Sequence, residues 1–265
     1  MADNSNNDNP LIRRLSREAK LRANATEAEV QAFIEVLRRF LQRNLVPIIE
    51  GLRGDSVTAR EAAKALGGLE TALKEAGLSD RFDSLKEMFS SEFEAVAEEF
   101  KDTTGKAALL SGFAKKNVES LIDTRLALAA TFIADYVGDV RNAVLDTIVG
   151  GKKVNPRDIV ENAEGRKLAN LETEINTTLM AYQRVLHFEK AKKAGVDKFL
   201  YIGPDDEITR EFCKDHVGGI YTREEIDAMD NGQGLPVSIY GGGYNCRHHW
   251  RPVSDDLAEE ITGSK

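Results

Sequence analysis

"VDKFLYIGP", Val196 to Pro204, divides the chain in two. Within it Phe199 and Tyr201 alternate with Leu200 and Ile202, and Gly203-Pro204 follows, the pattern of a short strand with a stop. Upstream, the sequence is rich in Ala, Glu, Leu and Lys, and its apolar residues recur at helical spacing. Thr26-Glu27-Ala28-Glu29 has capping-box form and predicts a helix carrying Val30, Phe33, Ile34, Leu37, Leu41 and Leu45 on one face, with a kink at Pro47. Further helices are expected over 57–75, 79–101 and 117–149. A short one opens at Pro156, and a long one over 165–193 places Leu168, Leu171, Ile175, Leu179, Tyr182 and Leu186 together.

Downstream the texture differs. Thr222-Arg-Glu-Glu225 is a second capping box, and "LPVSIYGGG" reads as a second strand. The expected fold class is mainly α, a long-helix bundle with a small C-terminal α+β Cys/His module. The expected divisions are a flexible N-terminal tail (1–25), a helical body (26–195), the module (196–256) and a C-terminal tail (257–265).

Apolar residues make up 42% of the 265 and charged residues 30%, a globular composition. No run approaches the roughly 20 apolar residues of a membrane span, so no membrane partner is expected. "MADNSNNDNP" lacks the basic and apolar segments of a signal peptide; reduced cysteines in a cytosol are therefore expected. Of the formal charge of −8, most lies after Val196, where seven Lys and Arg face fourteen Asp and Glu. Such a segment is a poor phosphate-binding surface and suits a protein partner that presents positive charge.

Rare side chains collect in that acidic segment. Cys213-Lys-Asp-His216 and Cys246-Arg-His-His249 hold both cysteines and three of the four histidines. Two short pairs joined by a longer loop is how four-coordinate structural zinc is held, and thiolate with imidazole suits zinc rather than magnesium or calcium. On a strand Cys246 shares a face with His248, and on a helical turn with His249. Glycines before the pair and Arg-Pro after it disfavour a helix, so the candidate ligands are Cys213, His216, Cys246 and His248. The competing reading is two cysteines packed in a small core, with the histidines satisfying hydrogen bonds. Gly241-Gly242-Gly243 permits close backbone approach to such a cluster. No carboxylate has the spacing of a known general base, so no enzymatic activity is expected.

The stretch from Gly165 to Ile226, followed by "GGGYNCRHHWRPVS", resembles phage minor head proteins of the Mu-type head morphogenesis family. The matching residues are Gly165-Arg166, Thr173-Glu174, Ala194-Gly195-Val196, Cys213, His216, Gly219, Cys246, Arg247, His248 and Pro252. His216 and His248 stand where that family usually has cysteine, an exchange that keeps a zinc ligand. Gly243 replaces its usual histidine, and Glu172 stands where an arginine commonly precedes Thr-Glu. The resemblance covers roughly 118–254. It implies a virion component made in the bacterial host cytoplasm and located at the portal vertex or head interior. Its partners would be the portal or other capsid proteins, with packaged DNA contacted only indirectly. The alternative is a metal-dependent hydrolase, nuclease-like or toxin-like, that uses the Cys/His cluster; it is distinguished by an open ligand position for water.

Overall fold

The computed structural model describes residues 9–54, 57–107, 110 and 112–263. Its elements are α1 (Pro10–Glu50), α2 (Ala59–Leu66), α3 (Leu69–Glu75), α4 (Leu78–Thr104), α5 (Gly112–Val149), α6 (Pro156–Ala194), β1 (Lys198–Ile202), α7 (Glu211–His216), β2 (Ile220–Thr222), α8 (Arg223–Ala228), α9 (Val237–Tyr240), β3 (His249–Val253) and α10 (Asp255–Thr262). The fold is mainly α, with a small three-stranded sheet near the C-terminus. Among the described residues no helix is long and apolar enough to cross a membrane.

Several boundaries differ from expectation. The first helix opens at Pro10 rather than Thr26, so residues 10–25 are helix and not tail. Its start is an Asn-Pro signal: Asn9 accepts from the Leu11 amide at 2.9 Å, and Pro10 occupies the position where a missing N–H costs nothing. Residues 1–8 of the expected tail lie outside the described residues. The segment expected as one helix over 57–75 is broken at Gly67-Gly68, whereas the two helices expected around Pro156 and Gly165 are one, α6. "LPVSIYGGG" is not a strand. Its backbone closes a helical turn, with Tyr240 N–H donating to Pro236 O and Gly241 N–H to Val237 O, both at 2.8 Å. Residues 257–262 belong to α10, which Ser254 caps and which buries Ala258 and Ile261.

The chain forms two compact units, so the expected single body over 26–195 is itself divided. Unit 2 (Glu29–Glu87 and Thr124–Thr173) is helical, with an apolar core. The expected stripe from Val30 to Leu45 is buried, as are Val137, Val140 and Val144 of α5 and Leu168 and Leu171 of α6.

Unit 1 (Met1–Ala28, Met88–Asp123 and Glu174–Lys265) contains the sheet, ordered β2-β1-β3 and antiparallel throughout. Central β1 alternates between two cores. Phe199 and Tyr201 enter one with Phe100, Phe188, Cys213, Cys246 and Trp250, and Leu200 and Ile202 enter the other with Ile12, Leu15, Ala19, Val253 and Ile261. Both faces of β1 are apolar and both need cover. The start of α1 and α10 supply it on the second side, which is why neither segment is a free tail.

Candidate metal centre

Cys213 lies on the short helix α7, and Cys246 and His248 lie just before β3. Their ligand atoms all fall within 4.8 Å of one another, and all three residues are buried. The sulfurs of Cys213 and Cys246 are 3.7 Å apart as free thiols, inside the roughly 3.5–4 Å edge of a tetrahedron with Zn–S near 2.3 Å. Cys246 and His248, two apart on extended chain, turn to the same side as expected.

His216 is not in this group. Its Nδ1 lies 2.6 Å from the Phe212 carbonyl and its ring stacks on Phe212 at 4.3 Å, contacts that hold the imidazole on Phe212 rather than at the sulfurs. His249 leaves the sulfurs altogether. The structure therefore converges three of the four candidate ligands.

The glycines fit the sulfurs closely. A Cβ on Gly242 would sit 2.5 Å from Cys213 Sγ, and the Gly242 amide donates to Cys246 Sγ at 3.2 Å. Gly243 has φ +105°, where side chains are strained, and any Cβ there would overlap Gln233.

Two neighbours complete the site, and sequence reading assigned neither to it. Tyr201 Oη lies 3.4 Å from Cys213 Sγ and 3.5 Å from Cys246 Sγ. Burial pushes its phenol well above the ordinary value, so it remains a proton donor. Arg184, 1% exposed on α6, donates to the carbonyls of Ile239 at 3.0 Å, Cys246 at 2.7 Å and His248 at 2.9 Å. One guanidinium thus ties the loop carrying the ligands to the long helix, with its fork of donors all directed at backbone.

The acidic sequence context suggests two protonated thiols, but the local field differs. The Cys213 hydrogen bond, and then the positive charge of Arg184, hold the Cys246 thiol well below its ordinary value against the opposing effect of burial. Its hydrogen bond to Cys246, and then burial, push Cys213 up. The opposite directions make Cys246 the more acidic of the two thiols. That polarised pair is half prepared for a cation.

On the other side of the same strand entry, Glu99 of α4, His187 of α6 and His249 of β3 form a second group, the histidines buried and Glu99 partly so, again with ligand atoms within 4.8 Å. His187 gave no sequence signal beyond packing.

No family model, no curated protein and no solved structure matches the chain.

Proposed function

We propose that this chain is a structural component of a phage particle, a minor head protein whose C-terminal module is organised around a zinc held by Cys213, Cys246 and His248. One observation carries the reading: the cluster is sealed inside a core. Cys213, Cys246 and His248 are 2–3% exposed and Tyr201 and Trp250 are fully buried, so no substrate reaches the sulfurs. Three protein donors by themselves resemble an open catalytic site. Here the Tyr201 hydroxyl stands against both sulfurs, where an attacking water would need room. Zinc bound there would cross-link α7 to the loop before β3 and couple metal binding to folding of the module.

Two further points support the virion reading. Most of the residues that resemble the head morphogenesis family, those from Glu174 onward, belong to unit 1: α6 leads into β1, Ala194-Gly195-Val196 makes the turn between them, and Arg247 is paired with Asp206 at 2.5 Å. The acidic segment after Val196 suits a portal or capsid partner that presents positive charge, and packaged DNA would be contacted only indirectly.

Mass spectrometry of gradient-purified particles tests the proposal. The expected result is this chain in the virion at copy number far below the major capsid protein. Its absence from intact particles overturns the reading. So does metal-dependent nuclease or protease activity that Cys213→Ser abolishes.

A further inference from the structure

The Glu99, His187 and His249 group is independent of the sulfur cluster in its elements and in its chemistry. His187 Nε2 lies 3.2 Å from Glu99 Oε2, and His249 Nε2 lies 3.9 Å from the same oxygen. The two imidazoles stack nearly parallel, 5° apart with centroids at 5.6 Å. The first distance is a hydrogen bond and the second is too long for one. His249 Nε2 is accordingly a buried nitrogen with no partner, aimed at a carboxylate, in a residue 2% exposed. An unmet polar atom in that position needs a ligand.

We propose that Glu99, His187 and His249 form a second divalent-metal site, of two histidines and one carboxylate. A first-row ion about 2.0–2.2 Å from each donor places those donors roughly 3.4 Å apart in tetrahedral geometry, between the two separations observed. Charge agrees with the geometry. The guanidinium groups of Arg22 and Arg251 face four carboxylates, Glu92 and Glu99 for Arg22 and Glu18 and Asp102 for Arg251. Glu18 also pairs with Arg14 at 3.8 Å, so three guanidinium groups meet four carboxylates and the surroundings keep one negative charge in excess, the sign that favours a cation. Arg22 Nη1 takes Glu99 Oε1 at 2.5 Å and leaves Oε2 for the metal.

The donors are positioned by structure rather than by chance. Glu99 is one turn before Thr103, whose hydroxyl donates to Pro252 O at 2.6 Å while the Ser254 amide donates to Thr103 O at 3.1 Å. Those bonds fix α4 against β3. Consecutive residues of an extended chain point to opposite sides, so His248 turns to the sulfurs and His249 to this site. Imidazole and carboxylate favour zinc, cobalt or ferrous ion over magnesium or calcium. Bound there, the ion joins α4, α6 and β3 and acts as a staple.

Titration of the chelator-stripped, reduced full chain with cobalt(II) tests the proposal. Two ions should bind. One brings a thiolate-to-cobalt charge-transfer band in the near ultraviolet, and the other adds only ligand-field absorption. Cys246→Ser should remove the charge-transfer band and leave the second ion bound, so failure of the sulfur site does not touch this proposal. Glu99→Gln and His187→Gln should keep the band and weaken the second ion by more than about 100-fold, the upper end of what losing an outer-shell partner costs. Crystals of cobalt-loaded wild-type protein make the test independent of how the variants fold, because an anomalous peak should lie among the three donor atoms. A folded wild-type chain that binds no ion outside the sulfur cluster overturns the proposal, as does a second peak elsewhere.

Discussion

Helix α6 runs through both units and is built differently in each. In unit 2 its first half buries Val160, Leu168 and Leu171, with Glu164 the one buried charged residue described on that half, while Glu161, Asn162, Ala169 and Asn170 are exposed, an ordinary one-sided helix. In unit 1 its second half is buried almost all round, and the buried residues include Thr177, Thr178, Gln183, Arg184, His187 and Lys190. Each of those polar groups must find a partner inside the protein. Arg184 finds three carbonyls, Gln183 donates to Glu92 at 2.7 Å, Thr177 accepts from the Asn245 amide at 2.9 Å, and His187 meets Glu99. Unit 2 is held by area, whereas unit 1 is held by area together with specific polar contacts. Area tolerates exchange of one apolar side chain for another; a fork of hydrogen bonds does not.

Arg184→Met puts the largest strain on that distinction. It removes the donors from three carbonyls, each costing about 1–3 kcal/mol when left buried and unmet, so a loss of at least about 3 kcal/mol is expected by urea denaturation. Arg184→Lys should recover little, because a single ammonium cannot span the carbonyls of Ile239, Cys246 and His248. The matched experiment in unit 2 is Leu171→Ala, expected to cost about 2–5 kcal/mol, with Leu171→Met costing under about 1.5 kcal/mol. If lysine rescues Arg184 as well as methionine rescues Leu171, the two units are not built differently.

The same distinction explains what was legible in the sequence. The stripe from Val30 to Leu45 and the row from Leu168 to Leu186 are buried as periodicity predicts, because apolar spacing records a buried face directly. Both capping boxes, at Thr58 and Thr222, form as such, although only the second was singled out in the sequence. The Thr26 box does not. Its hydroxyl donates to Glu92 Oε1 at 3.0 Å within a helix that began sixteen residues earlier. Cys213, Cys246 and His248 were legible because rare residues at short spacing stand out. Arg184, Tyr201 and Glu99 were not, since arginine, tyrosine and glutamate on regular elements look like ordinary surface or core until the chain brings them to the cluster. His216 misled because spacing does not fix a side chain's partner: three residues on in α7 it shares a helix face with Cys213, yet its ring lies on Phe212 and its Nδ1 at the Phe212 carbonyl.

A smaller effect is expected at Gly242. A Cβ there would lie 2.5 Å from Cys213 Sγ and 3.3 Å from the Phe212 ring, so Gly242→Ala should cost about 1–3 kcal/mol by overpacking. The double variant Gly242→Ala with Cys213→Ala removes the sulfur that the methyl meets. Its loss of stability should be smaller than the sum of the two single losses, a coupling that thermal melts of all four proteins measure directly. Strict additivity would mean that Gly242 is required for its backbone alone.

The smallest effect separates the two units by its sign. Glu99 in unit 1 and Glu164 in unit 2 are both largely buried carboxylates. Burial opposes ionisation of Glu99, but its His187 hydrogen bond, then neighbouring His249 and the charge of Arg22, overcome it and hold the carboxyl far below its ordinary value. At Glu164 burial prevails over the Gln42 hydrogen bond at 3.0 Å and the more distant Arg38, and the carboxyl is pushed up. A depressed carboxyl contributes stability above its unfolded pKa, about 4.3, and that contribution is lost as the pH falls below it. A raised one does the reverse: the unfolded chain ionises first, so stability is lost as the pH rises from about 4.3 through the folded value. Glu164→Gln should therefore raise the melting temperature at pH 7, by up to about 2–4 °C for a gain near 1 kcal/mol. Around pH 3, well below the unfolded pKa of about 4.3, Glu164 is protonated in both states and the gain should vanish. Glu99→Gln should lower the melting temperature at pH 7 and lose that penalty as the pH falls. If Glu164→Gln is destabilising at pH 7, its hydrogen bond from Gln42 outweighs its burial, and unit 2 depends on a polar contact in the way unit 1 does.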